Sequence, residues 1–329
     1  MKAVVCSDFG PVESLELKDV KSPPLAAGQV RISVHACGVN FPDILIVEGK
    51  YQQKPPLPFF PGGEVAGEII ETGEEVTGLD VGQRVMATIF WGGMAEEAVA
   101  PAAAVIPIPD NLDYATASVF QGGHLTSYHA LKQRAQLRKG ETLLVLGAAG
   151  GVGTAAVQLG KVMGARVIAA ASTPGKCEFA LANGADEAIN YVEQDLKDAV
   201  KELTGGDGAN VIYDPVGGEA FDLATRCIAW NGRLLVVGFA SGTIPQYRVN
   251  LALLKGCAVV GVHYQAFFER QQADALQNIE ELMQMVADGR VLPKIDKEFQ
   301  LERAADALNY VGSRKAVGKV VVNVCGSGV

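Results

Sequence analysis

A doubly wound parallel α/β domain inserted into a β-rich domain is the architecture that three features of this chain predict. The first is the run Leu143-Leu-Val-Leu-Gly-Ala-Ala-Gly-Gly-Val-Gly153, an apolar segment ending in glycines that open an alanine-rich stretch. The second is the repetition of strand-length apolar runs through the middle of the chain, with helix-length segments between the earlier ones. The third is a different texture before it, where short alternating runs are broken by Gly and Pro. At 329 residues the chain exceeds what one hydrophobic core usually supports, so two domains are expected.

Taken in order, Met1-Lys-Ala-Val-Val reads as a first strand and lacks the apolar core of a signal peptide. The runs Gln29-Val-Arg-Ile-Ser-Val34 and Glu64-Val-Ala-Gly-Glu-Ile-Ile70 alternate with a period of two, which suggests a compact β barrel. Past the glycine turn, residues 154–163 read as a helix and Arg166-Val-Ile-Ala-Ala-Ala171 as a second buried strand, completing a βαβ unit. Further strands are predicted at Ala209-Asn-Val-Ile-Tyr-Asp214, Gly232-Arg-Leu-Leu-Val-Val-Gly238 and Cys257-Ala-Val-Val-Gly-Val262. Helices are predicted over 174–183, 193–203 and 218–229, each flanked by Gly or Asn. Beyond Tyr264 comes an amphipathic helix with Leu276, Ile279, Leu282, Met283 and Val286 on one face, then a strand, a helix over 302–311 and a strand over 319–324. The expected division is 1–122 as the first part of the β-rich domain, 123–263 as the α/β domain, and 264–329 returning to the first.

About half the residues are hydrophobic and 20% are charged, and no apolar run approaches bilayer-spanning length, so no membrane partner is expected. A net charge of −9 disfavours a general polyanion-binding surface and argues against nucleic acid. The six cysteines, at 6, 37, 177, 227, 257 and 325, form no Cys-x-x-Cys pair. They indicate neither a disulfide framework nor a zinc ribbon, and reduced thiols in a cytoplasmic protein are the expectation.

The glycine turn has a chemical meaning beyond its geometry. Gly150 would let the backbone approach a pyrophosphate, Gly153 would let the helix pack closely on the strand, and unpaired amides at the helix start would face the phosphates. The cradle comprises Ala149, Gly150, Gly151, Val152 and Gly153, with Ala148 where the first fingerprint glycine usually stands. A tight turn alone also requires glycine, and it is the strand before and the helix after that make this a dinucleotide site. Enzymes preferring NAD place an acid at the end of the second strand of such a Rossmann unit, to grip the ribose hydroxyls. Here the sequence is Ala169-Ala-Ala-Ser-Thr-Pro-Gly-Lys176, without a carboxylate. Ser172 and Thr173 supply donors and Lys176 a positive charge, so NADPH is expected over NADH, the alternative being a solvated lysine at a helix start.

Six segments in order, the glycine turn among them, resemble one family: Gly38-Val-Asn-Phe-Pro-Asp43, Pro61-Gly-Gly-Glu-Val-Ala-Gly67, Gly82-Gln-Arg-Val85, Leu125-Thr-Ser-Tyr-His-Ala-Leu131, Gly147-Ala-Ala-Gly-Gly-Val-Gly153 and Val237-Gly-Phe239. Together they resemble the zinc-free quinone oxidoreductases of the medium-chain dehydrogenase/reductase superfamily, over the whole chain. The resemblance implies a GroES-like β-barrel catalytic domain carrying an inserted Rossmann domain. Zinc-dependent members of the superfamily hold their metal with a Cys, a His and a second Cys, and this chain has Asn40, Gly63 and Gly122 at those places. Two glycines offer no ligand atoms, so no metal site of that pattern is expected. The four histidines, at 35, 124, 129 and 263, show no metal-ligand spacing.

The resemblance also implies that Tyr191 completes the 2′-phosphate pocket, that Thr126 lies near the nicotinamide end, that the Gly238-Phe239 turn lies beside its ribose, and that Arg314 lies near the cofactor. Reduction of a quinone or enone without a metal needs hydrogen-bond donors at the developing oxyanion. The candidate donors are the Asn40 amide and Tyr51, which the resemblance implies lies in a segment bordering the cleft, while Asp43 would orient neighbours or the nicotinamide ribose; Asn40 and Asp43 are readable equally as caps of a short helix opening at Pro42. Tyr128-His-Ala-Leu-Lys132 has the Tyr-x-x-x-Lys spacing of short-chain dehydrogenases, but it precedes the dinucleotide turn and reads as one face of a helix. The expected function is NADPH-dependent quinone reduction. Alternatives are an enoyl reductase for enones or acyl thioesters, and an NADPH-binding sensor or structural protein without turnover. The apolar run 257–262 would leave an open sheet edge, and a homodimer is the expected remedy.

Overall fold

A computed structural model describes residues 1–324. These divide into two compact units, residues 1–122 together with 293 onward, and residues 123–292. The boundary expected after 263 is therefore corrected. Residues 264–292 belong to the second unit, to which their helices are tied by side-chain hydrogen bonds and a ring stack described below. Five cysteines, Cys6, Cys37, Cys177, Cys227 and Cys257, are free thiols, and Cys325 lies outside the described residues.

The first unit opens with β1 (Lys2–Val5) and β2 (Glu16–Asp19), an antiparallel pair, followed by β3 (Gln29–Val39) and helix α1 (Phe41–Val47). Strands β4 (Glu64–Thr72), β5 (Arg84–Thr88), β6 (Glu97–Pro101) and β7 (Val105–Pro107) lead to a single helical turn, α2 (Tyr114–Ala117). The period-two pattern of β3 is real: Val30, Ile32 and Val34 are fully buried, with the intervening residues half-exposed.

The second unit contains α3 (Thr126–His129), which lies between two π-helical turns, at Gln121–Leu125 and Ala130–Arg134. There follow β8 (Thr142–Leu146), α4 (Gly151–Val162), β9 (Arg166–Ala171), α5 (Pro174–Ala182), β10 (Glu187–Asn190) and α6 (Leu196–Leu203). The alternation continues with β11 (Ala209–Asp214), α7 (Gly218–Arg226), β12 (Ile228–Val236), α8 (Asn250–Lys255) and β13 (Ala258–Gly261), and ends in α9 (Tyr264–Arg270) and α10 (Gln272–Ala287). The chain then returns to the first unit through β14 (Ile295–Gln300), α11 (Ala304–Gly312) and β15 (Lys319–Asn323).

In the first unit the main sheet runs β14-β15-β3-β4-β5-β7, with β6 paired to β3. All its pairings are antiparallel except β14 with β15. Its core is built from Val30, Ile32, Ile69, Val85, Met94 and Val322, all fully or almost fully buried. In the second unit a six-stranded, wholly parallel sheet has the order β10-β9-β8-β11-β12-β13. Leu143, Leu144, Val145 and Leu146 are at most 1% exposed, as a strand covered on both faces requires.

Three predicted elements differ. Helix α7 stops at Arg226, and Ile228 already pairs with Ala209, so β12 begins earlier than the apolar run 232–238 suggested. Helix α6 starts at Leu196, because the Asp195 side chain accepts from the Asp198 backbone N–H at 2.9 Å and so caps it there. The buried face of α10 carries Ala275, Asn278, Leu282 and Val286, while Leu276 is 45% exposed. Asn278, which no apolar periodicity reveals, faces inward because Lys132 and Gln133 donate to its Oδ1 at 3.0 and 2.9 Å.

Candidate functional site

The second unit holds the glycine turn at the carboxyl end of β8, in the middle of its sheet. Gly147 takes the left-handed conformation (φ 57°), which frees Ala148 to be an alanine and to be fully buried, its N–H bonded to the Ala170 carbonyl. A Cβ on Gly153 would stand 2.2 Å from the Gly147 oxygen, so only glycine lets α4 approach β8 this closely. Gly150, the N-cap of α4, is different. A Cβ there would meet only the Gly147 oxygen, at 3.4 Å, so the space beside the first turn of the helix is free backbone-lined room. That is the shape a pyrophosphate needs at a helix start.

Strand β9 ends beside this turn. Ser172 is half-buried and Thr173 caps α5, accepting from the Lys176 N–H through Oγ1 at 3.3 Å. Tyr191 follows β10, whose Asn190 pairs with Ala171, and its own N–H donates to the Ala171 carbonyl at 3.1 Å. The parallel register therefore puts Ser172, Thr173, Lys176 and Tyr191 at one end of two adjacent strands, and no acid occupies the end of β9.

The π-helical segment packs against the same turn. Gly123 faces the Gly151 carbonyl, and the Ser127 hydroxyl donates to the Val152 carbonyl at 3.0 Å while sharing a 2.8 Å bond with the fully buried Tyr213 hydroxyl. Ser127 and Tyr213 hold the cradle's first turn, and sequence reading missed both; neighbouring Thr126 remains half-buried. Gly238 and Phe239 follow β12, with the Gly238 N–H directed to the Asp214 carbonyl and Phe239 37% exposed. Tyr128 and Lys132 both bond Glu281 on α10, which gives that pair a structural task joining α10 to the segment around α3. The histidines are likewise engaged: His35 stacks on Tyr114, His129 on Phe267, His124 meets Gln158 at 3.2 Å, and His263 caps α9.

The first unit gathers a second polar cluster. Asn40 precedes α1, and Asp43, 4% exposed, accepts from the Asn40 backbone N–H at 2.7 Å, as a helix cap does. Burial pushes the Asp43 carboxyl up to about 7, helped by the nearby Glu64 and opposed by the Asn40 and Gly63 amides and by Lys319. The Asn40 side chain is engaged elsewhere: Nδ2 donates to Glu64 Oε2 at 2.6 Å, and Oδ1 accepts from Lys319 Nζ at 2.6 Å. Lys319 Nζ also reaches Glu64 Oε2 at 3.2 Å, and the Gly122 N–H donates to Glu64 Oε1. Tyr51 is half-buried against the core, its hydroxyl pushed upward by desolvation and then by Asp43. Arg314 lies in an exposed left-handed turn (φ 58°) after α11.

Side chains at the two glycines would be crowded by their neighbours. A Cβ at Gly122 would stand 3.0 Å from Glu64 Oε2, and one at Gly63 would meet the Phe90 carbonyl and the Asp43 carboxyl at 3.3 and 3.5 Å. Among the described residues, no group of three or more His, Cys, Asp or Glu side chains is placed to hold a metal ion. Glu64 and Lys319 are the members of this cluster that sequence reading did not single out. Both open strands whose apolar pattern hid them.

A parallel sheet with a glycine cradle at a strand's carboxyl end is the architecture of a dinucleotide-binding Rossmann domain, and a chain that carries it together with a β-rich unit has the two parts expected of the medium-chain dehydrogenase/reductase superfamily. The family model for the alcohol dehydrogenase GroES-like domain matches residues 26–110, and that for zinc-binding dehydrogenase matches 151–283. A quinone oxidoreductase-like protein 2 homolog of Nematostella vectensis is 42% identical over 98% of this chain and 88% of its own length. The crystal structure of Thermus thermophilus quinone oxidoreductase, also determined in complex with NADPH, is 34% identical with a TM-score of 0.85, over 98% of this chain and all of that one. Escherichia coli quinone oxidoreductase complexed with NADPH is 26% identical with a TM-score of 0.92, over 98% of this chain and all of its own. The chain belongs to the quinone oxidoreductase family of that superfamily.

Proposed function

We propose that this protein is an NADPH-dependent quinone reductase acting on small hydrophobic quinones and similar electron-poor acceptors. The observation that carries the reading is the meeting of Ser172, Thr173, Lys176 and Tyr191 at the acid-free end of β9, next to the open space at Gly150. Backbone amides at the start of α4 bind the pyrophosphate, and Lys176 with the two hydroxyls binds the 2′-phosphate. Thr126 and the Gly238-Phe239 turn border the nicotinamide end, and Arg314 adds positive charge near the cofactor. The relatives of known structure that bind NADPH support the choice of nucleotide.

When bound, the reduced nicotinamide supplies a hydride to the acceptor. The chain's own task is to orient the acceptor and to stabilise the negative charge that develops on its oxygen. A carboxamide nitrogen has two N–H groups, and Asn40 uses one on Glu64, so the other is the donor we assign to that oxygen, with the Tyr51 hydroxyl as the second. Asp43 holds the Asn40 backbone in place. We also propose that the protein is a cytoplasmic homodimer joined along β13, with no membrane or nucleic-acid partner. No helix among the described residues is long and apolar enough to cross a membrane.

Steady-state NADPH oxidation with a quinone panel and an enone panel, beside a binding titration of NADPH alone, tests the function. Quinone turnover is expected. A preference for enones or acyl thioesters would replace it with the enoyl-reductase reading, and tight binding without turnover would favour a sensor.

A further inference from the structure

The buried pair Lys319–Glu64 has no explanation in stability alone. The two side chains are 7% and 4% exposed, and an ion pair taken this far from water contributes little net stabilisation, or less than apolar residues of the same size. Register puts Gly38 opposite Glu64 and Val39 opposite Val320, so Asn40, just past the end of β3, lies beside the first residues of both β4 and β15. A carboxamide has two nearly isosteric orientations, and ordinary neighbours choose weakly between them. Here one side is an ammonium, which only donates, and the other is a carboxylate, which only accepts. Lys319 Nζ must face Oδ1 and Glu64 Oε2 must face Nδ2, and the contacts are both 2.6 Å. The Gly122 N–H then fixes the carboxylate from its other oxygen, and a Cβ at 122 would press on that carboxylate at 3.0 Å.

We infer that Lys319 and Glu64 are positioning residues for acceptor reduction, setting the single orientation of the Asn40 carboxamide in which a free N–H is presented. The inference rests on the reading of Asn40 as an oxyanion donor. It assigns work to a lysine that touches neither nucleotide nor acceptor, and it makes the ion pair an electrostatic clamp on a neutral side chain.

Kinetics on Lys319→Met, Asn40→Ala and the combined variant test it. Lys319→Met should lower kcat by on the order of 10², as loss of one oxyanion donor does, with the KM for NADPH within about twofold. In the Asn40→Ala background, Lys319→Met should cost nothing further, because it acts through Asn40. Losses that multiply, or an unchanged kcat in Lys319→Met, would overturn the inference. Because a lone buried carboxylate can prevent folding, Lys319→Met/Glu64→Gln serves as the second variant. It should recover the melting temperature but not kcat, whereas recovery of both would mean the pair is merely structural. Nitrogen-15 spectra of asparagine-labelled protein read the same point without turnover. The Asn40 side-chain resonances, identified by their loss in Asn40→Ala, should show one proton shifted downfield by the carboxylate, and should move to free-carboxamide positions in Lys319→Met. Wild-type protein that reduces no acceptor would sink the functional reading, while an Asn40 signal indifferent to Lys319→Met would sink the clamp.

Discussion

Asp43 shows how one buried carboxyl links the site to pH. In the folded protein it holds its proton to about 7, chiefly because burial disfavours the carboxylate, whereas in an unfolded chain it ionises at about 3.9, the ordinary aspartate value. Below the unfolded value both states are protonated and the stability is fully present. As pH rises from about 4 to 7 the unfolded state alone releases the proton, so stability falls over that window. Asp43→Asn removes the titration, and its urea-unfolding curve should therefore lose less stability than the wild type between those limits; parallel pH dependences would refute the assignment. At the other residue-scale position, Lys176→Ala should raise the KM for NADPH about tenfold or more, the worth of a charge-assisted bond, and leave that for NADH nearly unchanged. Equal effects on the two nucleotides would remove Lys176 from the 2′-phosphate site.

At the scale of elements, the contact between β8 and α4 governs the cradle. Gly153→Ala would place a methyl group 2.2 Å from a backbone oxygen that cannot step aside. The helix must shift, at a cost of about 3 kcal/mol or more, and a lower melting temperature together with lost NADPH binding in a fluorescence titration is expected. Gly150→Ala meets open space instead and should fold normally while binding the nucleotide poorly. Binding retained in Gly150→Ala would mean that the pyrophosphate lies elsewhere. The βαβ unit was legible because its strand, turn and helix signals are local and consecutive. The buried face of α10 was not, since Asn278 is chosen by Lys132 and Gln133, residues some 145 positions away in the chain.

At the scale of the whole molecule, the parallel sheet ends at β13, of which Ala258, Val259 and Gly261 are exposed. Leu253 and Leu254 just before β13, and Trp230 with its ring against Gly256, are 81, 68 and 69% exposed, an unusual amount of apolar surface for one region. A homodimer joined along this edge should sediment as such at micromolar concentration, and Val259→Asp should shift it toward monomer by adding charge to the edge. A strict monomer in the wild type would discard the proposal. The return to the first unit comes at 293, not 264, because α9 and α10 are held by the second unit's own side chains.

Local order along the chain was enough to determine the parallel sheet, the glycine cradle, the acid-free end of β9 and the absence of ligand atoms at 63 and 122. Each follows from the size, charge or periodicity of consecutive residues. Tertiary structure alone decided that Glu64 and Lys319, 255 positions apart, close on Asn40 from opposite sides. A strand's alternation says which residues face inward and nothing about which charges meet there, and that pairing is set only when β3 takes β4 and β15 as its neighbours.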